Sequence, residues 1–302
     1  MASISGSSVA IIVLNWNGYE HTRNCLHSLR AVEGASYDVI LVDNASTDGS
    51  VIKLEKDFPE PDYLVNEKNL GFTGGNNVGI NYALDQGYGY IMLLNNDTEV
   101  TPSFLKKLID ALEHTPDLGA VQPMMYYLHD RSVIWNAGGK FRPWTGASVS
   151  IRKAKLHAPF YPTDWITGCC LLVKSSVIRE VGLLNDHYFA YFEDVDWSLR
   201  MREKGYQLAV VPSSIIYHEA GASSKAKKKN TEGILNPKVH YLNTRNQLFQ
   251  LRNHVRFPYC LLAWPIQLIK LSTFGLYFLA RLRKQKLHAL LRGVKDGLLL
   301  EC

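Results

Sequence analysis

The sequence predicts an α/β protein with a mixed, Rossmann-like sheet flanked by helices and followed by an amphipathic helical C-terminal extension. Three observations predict it. Apolar β-branched runs alternate with helical patterns through the first 123 residues, hairpin-like patterns rich in glycine and tryptophan come next, and an apolar stretch lies near the C-terminus. Alternation of this kind is typical of parallel strands that bind ligands at their carboxyl ends.

The alternating part accounts for five strands and four helices. The strands are predicted at Val9–Leu14, Val39–Val42, Tyr63–Val65, Tyr90–Leu94 and Gly119–Gln122. The helices are predicted near Glu20–Arg30, Ser50–Phe58, Asn76–Gln86 and Pro102–His114.

After Pro123 the residue pattern becomes mixed. We expect antiparallel hairpins over Trp135–Ile151, strands at Ile166–Val173 and Leu208–Val211, and helices from Ser175, over Glu193–Lys204 and over Val239–His254. The polar, lysine-rich segment Ser223–Pro237 has no periodicity and is expected to be a loop.

Composition indicates a folded protein with two differently charged parts. Of the 302 residues, 46% are hydrophobic and 20% are charged, which is unlike disordered chains. The segment Lys225–Cys302 holds 15 Lys and Arg against 3 Asp and Glu, whereas residues 1–224 hold 18 against 25. The five cysteines form no CxxC pair and the N-terminus lacks a signal-peptide pattern, so we expect a reducing, cytoplasmic location.

The C-terminal residues 255–302 are predicted to form a basic amphipathic tail that associates with a membrane. Tyr259–Ala280 is strongly apolar but contains Pro265, Gln267 and Lys270, and a basic cluster follows it: Arg281, Arg283, Lys284 and Lys286. This pattern favours helices lying peripherally on the inner membrane surface over a spanning helix. Packing on the chain itself or on a second copy is the alternative, and the apolar density disfavours a nucleic-acid partner.

Polar residues follow three predicted strands abruptly. Asn15 and Trp16 end the first strand, Asp43 ends the second, and Asn96 and Asp97 follow Tyr90–Leu94. Asp97 is a candidate ligand for a hard divalent cation, and Asp43 could accept a hydrogen bond from a nucleobase. The alternative for Asp97 is a strand-to-helix turn in which Asp97 or Thr98 caps the next helix.

Two further segments carry candidate chemistry. The glycine- and asparagine-rich Asn69–Asn77 opens a helix, where backbone amides suit anions, although neither a Walker lysine nor a GxGxxG pattern is present. Glu193, Asp194 and Asp196 lie beside aromatic residues at a helix start, which suits either general-base catalysis or simple dipole compensation. His218 follows an apolar strand and could be a metal ligand or a structural histidine.

In this order, the motifs resemble family 2 glycosyltransferases of the GT-A fold, and most closely their bacterial rhamnosyltransferase-like branch. The resemblance covers about Val9 to His254 and is carried by VLNWNG, VDNASTDGS, NLGFTGGNN, LLNNDT, TGCCLLV, YFEDVDWSLR and TRN. It implies a GT-A domain over residues 1–254, with a nucleotide-sugar half at 1–123 and an acceptor half at 124–254. The chain departs from the family's acidic triplet because Asn95 and Asn96 precede Asp97.

The resemblance also implies roles for individual residues. Donor binding would involve Asn15, Trp16, Asp43, Asn69, Gly71, Gly74, Gly75, Asn76, Asn96 and Arg245. Acceptor binding would involve Trp165, Tyr191 and Glu193. Asp97 and His218 would hold Mg²⁺ or Mn²⁺, and Asp194 would be the catalytic base.

The activity implied is inverting transfer of a sugar, rhamnose being a candidate, from a dTDP- or UDP-sugar to a hydroxyl of a glycan or lipid-linked acceptor in cell-surface polysaccharide synthesis. Two other classes stay open on the residues alone. A nucleotidyltransferase should carry a basic, glycine-rich N-terminal phosphate loop, which Leu14–Gly18 is not. A non-catalytic scaffold that binds sugar nucleotides or lipid is disfavoured by the intact Glu193–Asp194 pair.

Overall fold

The computed structural model describes residues 8–154, 158–220, 225–230 and 233–299, which form two compact units. The first unit contains the described residues up to Lys140, together with Ser150–Phe189 and Glu193–Ala220. The second contains Phe141–Val149, Ala190–Phe192 and the described residues from Lys225 onward. The predicted boundaries after residues 123 and 254 are placed where the residue pattern changes, whereas the two units are divided at residues 140, 149, 189, 192 and 220.

The elements are as follows. The strands are β1 (Val9–Asn15), β2 (Tyr37–Asp43), β3 (Asp62–Val65), β4 (Tyr90–Asn95), β5 (Thr98–Val100), β6 (Leu118–Tyr127), β7 (Ile134–Asn136), β8 (Gly139–Arg142), β9 (Ala147–Ser150), β10 (Tyr161–Pro162), β11 (Cys170–Lys174), β12 (Gln207–His218), β13 (Lys225–Asn230) and β14 (Gly233–Leu235). The helices are α1 (Tyr19–Leu29), α2 (Ser50–Asp57), α3 (Gly71–Gln86), α4 (Phe104–Glu113), α5 (Ser175–Val181), α6 (Glu193–Glu203), α7 (Pro237–His254), α8 (Cys260–Ala280) and α9 (Lys284–Leu299), with a 3₁₀ turn at Asp186–Tyr188.

A mixed ten-stranded sheet forms the centre of the first unit. Its main order is β10-β12-β6-β11-β4-β1-β2-β3, with β5 paired to β12 and β7 to β6. The strands β4, β1, β2 and β3 run parallel, while β11 is antiparallel to both β4 and β6. The predicted α/β class with a mixed sheet flanked by helices is therefore confirmed.

Both faces of this sheet are covered, and β1 shows why its strand is apolar throughout. Val9, Ile11 and Val13 belong to one core cluster, and Ala10 and Ile12 belong to the cluster on the opposite face. Because successive strand residues point to opposite faces, a strand covered on both sides needs an unbroken apolar run. In β1 a polar side chain consequently appears only at the end of the strand, at Asn15.

Two element boundaries differ from the prediction around glycine and proline. Helix α3 begins at Gly71 rather than near Asn76, and its residues Gly75 and Gly79 pack closely on Leu14 and Ile12 of β1. Strand β6 continues through Pro123 to Tyr127 instead of ending at Gln122. Pro123 pairs with Val211 where the ladder to β12 is irregular, and such a position tolerates the missing amide hydrogen.

Three other predicted segments need correction. Residues 166–169 precede β11 instead of forming its first half, and β12 extends to His218 rather than ending at Val211. The predicted loop Ser223–Pro237 contains the antiparallel pair β13 and β14, whose pairing satisfies backbone groups without apolar alternation in the sequence. Residues 221–224 and 231–232 lie outside the described residues.

The second unit contains the three C-terminal helices α7, α8 and α9. Leu248, Leu271, Phe278 and Leu290 form its core cluster. Helix α8 is the one helix in the described part of the chain that is long and apolar enough to cross a membrane. Of the predicted basic cluster, Lys286 is buried, whereas Arg281 and Lys284 are exposed.

Candidate active site

The polar residues predicted at strand ends meet at one edge of the sheet in the first unit. Asn15 pairs with Asp43, and Leu14 pairs with Asn95, so β1, β2 and β4 end at the same level. Parallel strands in register bring their carboxyl ends together, which is the usual ligand edge of such a sheet. The site therefore begins with the side chains that follow these three strands.

Asn15 and Asp43 are the centre of a buried hydrogen-bond network. The Asn15 amide donates to Asp43 Oδ1 at 2.8 Å and to Ser50 Oγ at 3.0 Å. The backbone amide of Ser46 donates to Asp43 Oδ2 at 2.8 Å. Asp43 is 1% exposed, so its carboxylate fixes the loop after β2, and its predicted contact with a nucleobase stays a prediction.

The loop after β1 presents an aromatic ring and is tied to the loop after β2. The Asn17 side-chain oxygen accepts a hydrogen bond from the Thr47 backbone amide at 2.8 Å, and the Asn17 backbone amide donates to Ser46 Oγ at 2.8 Å. Trp16, which directly precedes Asn17 in the chain, is 54% exposed. Its ring is thus an accessible aromatic face on a fixed loop, as a nucleoside-binding residue requires.

Asn44, the residue after β2, connects the end of this strand to the segment before α3. It was not identified as a site residue from the sequence. Its side-chain amide donates to the Gly71 carbonyl at 2.8 Å and to Asn69 Oδ1 at 3.2 Å. Its side-chain oxygen accepts from the Leu70 amide at 3.0 Å and from Asn66 at 3.2 Å. The predicted donor residue Asn69 therefore belongs to a network that positions the start of α3.

The predicted glycine-rich turn is occupied by internal contacts. Gly71 has a φ of +76°, and a Cβ there would lie 2.4 Å from the Phe189 carbonyl oxygen. That carbonyl accepts from the amides of Phe72 at 2.7 Å and Thr73 at 3.2 Å, so these two amides are already bonded. A Cβ at Gly75 would lie 2.5 Å from Leu14 Cδ1, which shows how closely α3 approaches β1.

Gly74 and Asn76 also have packing roles in α3. A Cβ at Gly74 would lie 2.8 Å from Leu70 Cβ, and the buried Asn76 side chain donates to the Phe72 carbonyl at 2.8 Å. The donor-binding roles of these two residues stay predictions.

Asp97 and His218 come together at the end of the sheet. Asp97 Oδ1 lies 3.1 Å from His218 Nε2, and both side chains are largely buried. Strand pairing explains the approach, because His218 pairs with Thr98, the residue after Asp97. Burial raises the pKa of Asp97, but the lowering contributions, first the hydrogen bond and charge of His218 and then the charge of His21, together outweigh burial and lower it.

The predicted donor residue Asn96 connects this pair to the other strand ends. Its side-chain amide donates to Thr22 Oγ1 at 2.8 Å, and the Thr22 hydroxyl donates to Asn15 Oδ1 at 2.8 Å. A continuous chain of hydrogen bonds thus runs from the end of β4 to those of β1 and β2. Thr22 follows no strand, and no sequence signal marked it.

The Asp97–His218 pair fits a divalent cation. One carboxylate and one imidazole suit Mg²⁺ or Mn²⁺, and two ligands of an octahedral ion lie about 3 Å apart. His218 Nδ1 is buried without a hydrogen-bond partner among the described residues, so the ring has no other bond that fixes its tautomer. Within the described ranges, no group of three or more His, Cys, Asp or Glu could hold a metal, so further ligands would come from substrate and water.

The three acids at the start of α6 have different surroundings. Asp194 Oδ2 accepts a hydrogen bond from the Gly168 amide at 2.9 Å, and its Oδ1 accepts from the Val195 amide at 2.8 Å. Asp196 is buried and pairs with Arg200 at 2.8 Å, which gives it a structural role. Glu193 is buried, and its Oε2 has no hydrogen-bond partner among the described residues.

The pKa values of the two remaining acids, Glu193 and Asp194, are both raised. Burial raises the pKa of Glu193 well above its ordinary range, and the neighbouring Asp194 charge raises it further. Burial also raises the pKa of Asp194, although the amides of Gly168 and Val195 partly offset this effect. Asp194 is therefore the better stabilised carboxylate and Glu193 the better proton holder.

The aromatic segment before these acids has a strained backbone. Phe189, Tyr191 and Phe192 have φ values of +63°, +71° and +73°. Bulky residues rarely adopt this left-handed region, and such strain is concentrated at functional sites. The predicted acceptor residue Tyr191 thus lies in a segment whose conformation is imposed by its surroundings.

Trp165 and Arg245 are the remaining predicted residues. Trp165 is buried, and a Cβ at Gly139 would lie 2.0 Å from its indole ring. The ring therefore packs within the first unit, and its acceptor-binding role stays a prediction. Arg245 lies on α7 in the second unit, where its guanidinium donates to Asn246 Oδ1 at 2.8 Å.

Comparisons with solved structures agree on the fold. GalNAc-T7, solved with UDP, GalNAc and Mn²⁺, matches with a TM-score of 0.58 at 16% identity, covering 70% of this chain and 43% of that one. Residues 1–349 of Staphylococcus aureus TarS, solved with UDP, match with a TM-score of 0.56 at 14% identity, covering 82% and 66%. At such identities the likeness concerns the fold alone.

Sequence comparisons identify the family. The N-acetylglucosaminyl-diphospho-decaprenol L-rhamnosyltransferase of Mycobacterium tuberculosis is 28% identical over 238 residues, which cover 71% of this chain and 77% of the relative. The dTDP-rhamnosyl transferase RfbF of Shigella flexneri is 22% identical over 254 residues, 82% of each chain. The model of the family described as glycosyl transferase family 2 matches residues 8–182. With that match over more than half of its length, and with acids and polar side chains at the ligand edge of its sheet, the chain belongs to glycosyltransferase family 2.

Proposed function

We propose that this glycosyltransferase moves a hexose, with rhamnose as the first candidate, from a nucleoside diphosphate sugar to a hydroxyl of a glycan or lipid-linked acceptor. Two relatives named as rhamnosyltransferases support the choice of sugar. One of their names includes a diphospho-decaprenol acceptor, which supports a lipid-linked acceptor in cell-surface polysaccharide synthesis. The carrier would be dTDP or UDP.

The observation that carries the proposal is the surroundings of Asp194. Asp194 lies at the start of α6, its carboxylate accepts a hydrogen bond from the Gly168 amide, and burial raises its pKa. A base with a raised pKa is well matched to accept the proton of an acceptor hydroxyl. Glu193, which holds its proton more strongly, would donate a hydrogen bond and orient the acceptor.

The acceptor hydroxyl would attack the anomeric carbon of the donor sugar from the face opposite the leaving diphosphate, and Asp194 would act as the base for this hydroxyl. The attack forms the new glycosidic bond while the bond to the diphosphate breaks, and the hydroxyl proton passes to Asp194. Because the attack comes from the face opposite the leaving group, the configuration at this carbon inverts.

At the donor, Asp97 and His218 would hold Mg²⁺ or Mn²⁺, which neutralises charge on the diphosphate when bound. The Asn15–Asp43 and Asn44–Asn69 networks would hold the edge of the sheet in one conformation, and Trp16 would contact the nucleoside. Binding to a rigid edge loses less conformational entropy than binding to a flexible one.

Helix α8 and the basic residues after it support a peripheral position on the cytoplasmic membrane. Many of its large apolar side chains are exposed, and it contains no acidic residue. An apolar surface near basic groups favours an anionic lipid surface. A lipid-linked acceptor would be reached at such a surface.

The test is incubation of the protein with a panel of dTDP- and UDP-sugars, with Mg²⁺, Mn²⁺ or chelator, and measurement of released nucleoside diphosphate. We expect acceptor-dependent release from dTDP-rhamnose that requires a divalent cation. NMR of the product should show an anomeric configuration opposite to that of the donor. Retention of configuration, or full activity in chelator, would contradict the mechanism.

A further inference from the structure

Helix α8 has an unusual distribution of polar and apolar side chains. Ala263, Gln267, Leu271 and Phe278 are buried within the second unit and form one stripe along the helix. The exposed part of the helix is mainly apolar, with the large side chains Leu261, Leu262, Leu268, Ile269, Leu276 and Leu279, and it also carries Lys270, Ser272 and Thr273. A helix that turns an amide inward and leucines outward is fitted to an apolar surrounding rather than to water.

The inward amide of Gln267 holds a hairpin that lies more than one hundred positions earlier in the chain. Its Nε2 donates to the Thr145 carbonyl at 2.5 Å. This carbonyl belongs to the turn between β8 and β9, which closes with the Gly146 amide donating to the Arg142 carbonyl at 2.8 Å. The turn is therefore attached directly to α8 within the second unit.

Helix α7 holds the same turn in two more places. The Gln247 amide donates to the Gly146 carbonyl at 2.7 Å, and the Gln250 amide donates to Ser148 Oγ at 3.1 Å. A Cβ at Gly146 would lie 2.3 Å from Leu251 Cδ1 and 3.9 Å from Ala263 Cβ. Three glutamine amides and this close approach thus fix the turn against α7 and α8.

Trp144 is an exposed aromatic residue in this turn. It directly precedes Thr145 in the turn and remains 49% exposed although its neighbours are held tightly. A large apolar ring with one hydrogen-bond donor is suited to the boundary between lipid and water. Nothing in the hairpin sequence alone connects this residue with the C-terminal tail.

We infer that the outer face of α8 and Trp144 together form one lipid-binding surface, with α8 lying parallel to the membrane and Trp144 anchored at its boundary. This inference rests on the proposed membrane association. The charges complement an anionic surface, because exposed basic residues flank α8, Arg256 before it and Arg281 and Lys284 after it, and the helix contains no acid. The buried Gln267 anchors the opposite stripe to protein, which a helix surrounded by lipid on all sides would not allow.

The experiment measures partitioning of the full chain onto vesicles of phosphatidylcholine, with and without phosphatidylglycerol, at increasing salt. The variants are Trp144→Ser and Ile269→Glu, with Ile52→Ser as the matched control, because Ile52 is an exposed apolar residue of the first unit. We expect the wild type to prefer anionic vesicles. Trp144→Ser should weaken partitioning about tenfold, as the loss of a half-buried large side chain implies, and Ile52→Ser should leave it unchanged.

A second readout places the ring directly. Brominated lipids should quench fluorescence of the wild type more than that of Trp144→Phe, and the difference should vanish without vesicles. Release of nucleoside diphosphate with a soluble acceptor should stay at the wild-type level in both Trp144 variants, which shows that they are folded.

The outcomes separate the inference from the proposal beneath it. If the wild type binds no vesicle, the membrane association itself fails. If the wild type binds and Ile269→Glu does not, while Trp144→Ser binds normally, the composite surface is refuted and α8 acts without the hairpin. If Trp144→Ser instead lowers the mass of the protein in sedimentation equilibrium, the surface joins two copies of the chain and the lipid assignment is overturned.

Discussion

Two regions of the first unit differ in how their polar groups are satisfied. At the strand ends, the side chains of Asn15 and Asn44 donate and accept hydrogen bonds, the Asp43 carboxylate accepts several, and all three residues are buried. At the start of α6, Glu193 Oε2 lacks a partner among the described residues, and burial raises the pKa values of Glu193 and Asp194. Satisfied networks make a rigid surface, whereas buried acids with raised pKa values are suited to proton transfer.

The difference suggests that the first region determines donor affinity and stability, and that the second determines turnover. Backbone strain is also found in the second region, since aromatic residues with left-handed φ values directly precede Glu193. Substitutions in the two regions should therefore separate donor binding from the chemical step.

The largest effect should come from Asp97→Ala, which removes a carboxylate from the pair that would hold the cation. We expect transfer to fall below detection and cation-dependent donor binding to disappear from calorimetric titrations. Asp117→Ala, at an exposed aspartate of the first unit, is the matched control and should behave as wild type. Donor binding by Asp97→Ala that still responds to Mg²⁺ would remove Asp97 from the cation site.

Asp194→Asn should reduce kcat by about 10²–10⁴-fold, the typical contribution of a general base, with donor affinity nearly unchanged. Asp196→Asn is the control on the same helix turn. Because it weakens the ion pair with Arg200, it should lower the unfolding temperature while the folded enzyme keeps its turnover. The assignment fails if Asp194→Asn turns over normally while the control is inactive.

Asn44→Ala removes a side chain with four hydrogen bonds from the rigid region. We expect a loss of about 2–3 kcal/mol in the free energy of unfolding, because several buried partners are left unpaired. Donor affinity should weaken more than turnover. Asn24→Ala, at an exposed asparagine on α1, should change neither quantity, and an equal effect of both variants in denaturant titration would refute the buried network's importance.

Asn246→Ala tests what maintains the strained aromatic segment. The buried Asn246 amide donates to the carbonyls of Ala190 at 2.8 Å and Tyr191 at 2.7 Å. We expect kcat to fall about tenfold with little change in donor affinity, since a small misplacement of catalytic groups is costly. Asn243→Ala, which removes a bond within α7 only, is the control, and equal kinetics for the two variants would contradict this role.

Glu193→Gln should have the smallest effect, a severalfold loss in kcat, because Gln keeps a hydrogen-bond donor. The pH profile sharpens the comparison. Since burial raises the pKa of Asp194, kcat/KM should decline with falling pH at values above those of an exposed aspartate, about 3.9. A decline only near that ordinary value, or a Glu193→Gln variant as inactive as Asp194→Asn, would contradict the proposed division of roles.

Strand ends were predictable from sequence because an apolar run stops where a covered strand leaves the core. This placed Asn15, Asp43 and Asp97 correctly at one edge. The start of α3 was misplaced because glycine has a low helix propensity, and close packing of Gly75 on Leu14 overrides that propensity.

Contacts between distant segments could not be predicted in the same way. The Gly168 amide bonded to Asp194 and the Thr22 hydroxyl bonded to Asn15 join residues with no shared periodicity. Only the fold brings such residues together, so motif spacing indicated Asp194 and Asn15 but not the groups that bond to them.

The packing of α9 on α7 bears on how the protein can be shortened. A Cβ at Gly293 would lie 2.8 Å from the Tyr241 carbonyl oxygen, and one at Gly297 would lie 2.6 Å from that of Arg245. The final helix is therefore seated against the backbone of the helix that carries Arg245 and Asn246. Deleting α9 to improve solubility would uncover this backbone, so α9 is a structural support of the enzyme and not a removable appendage.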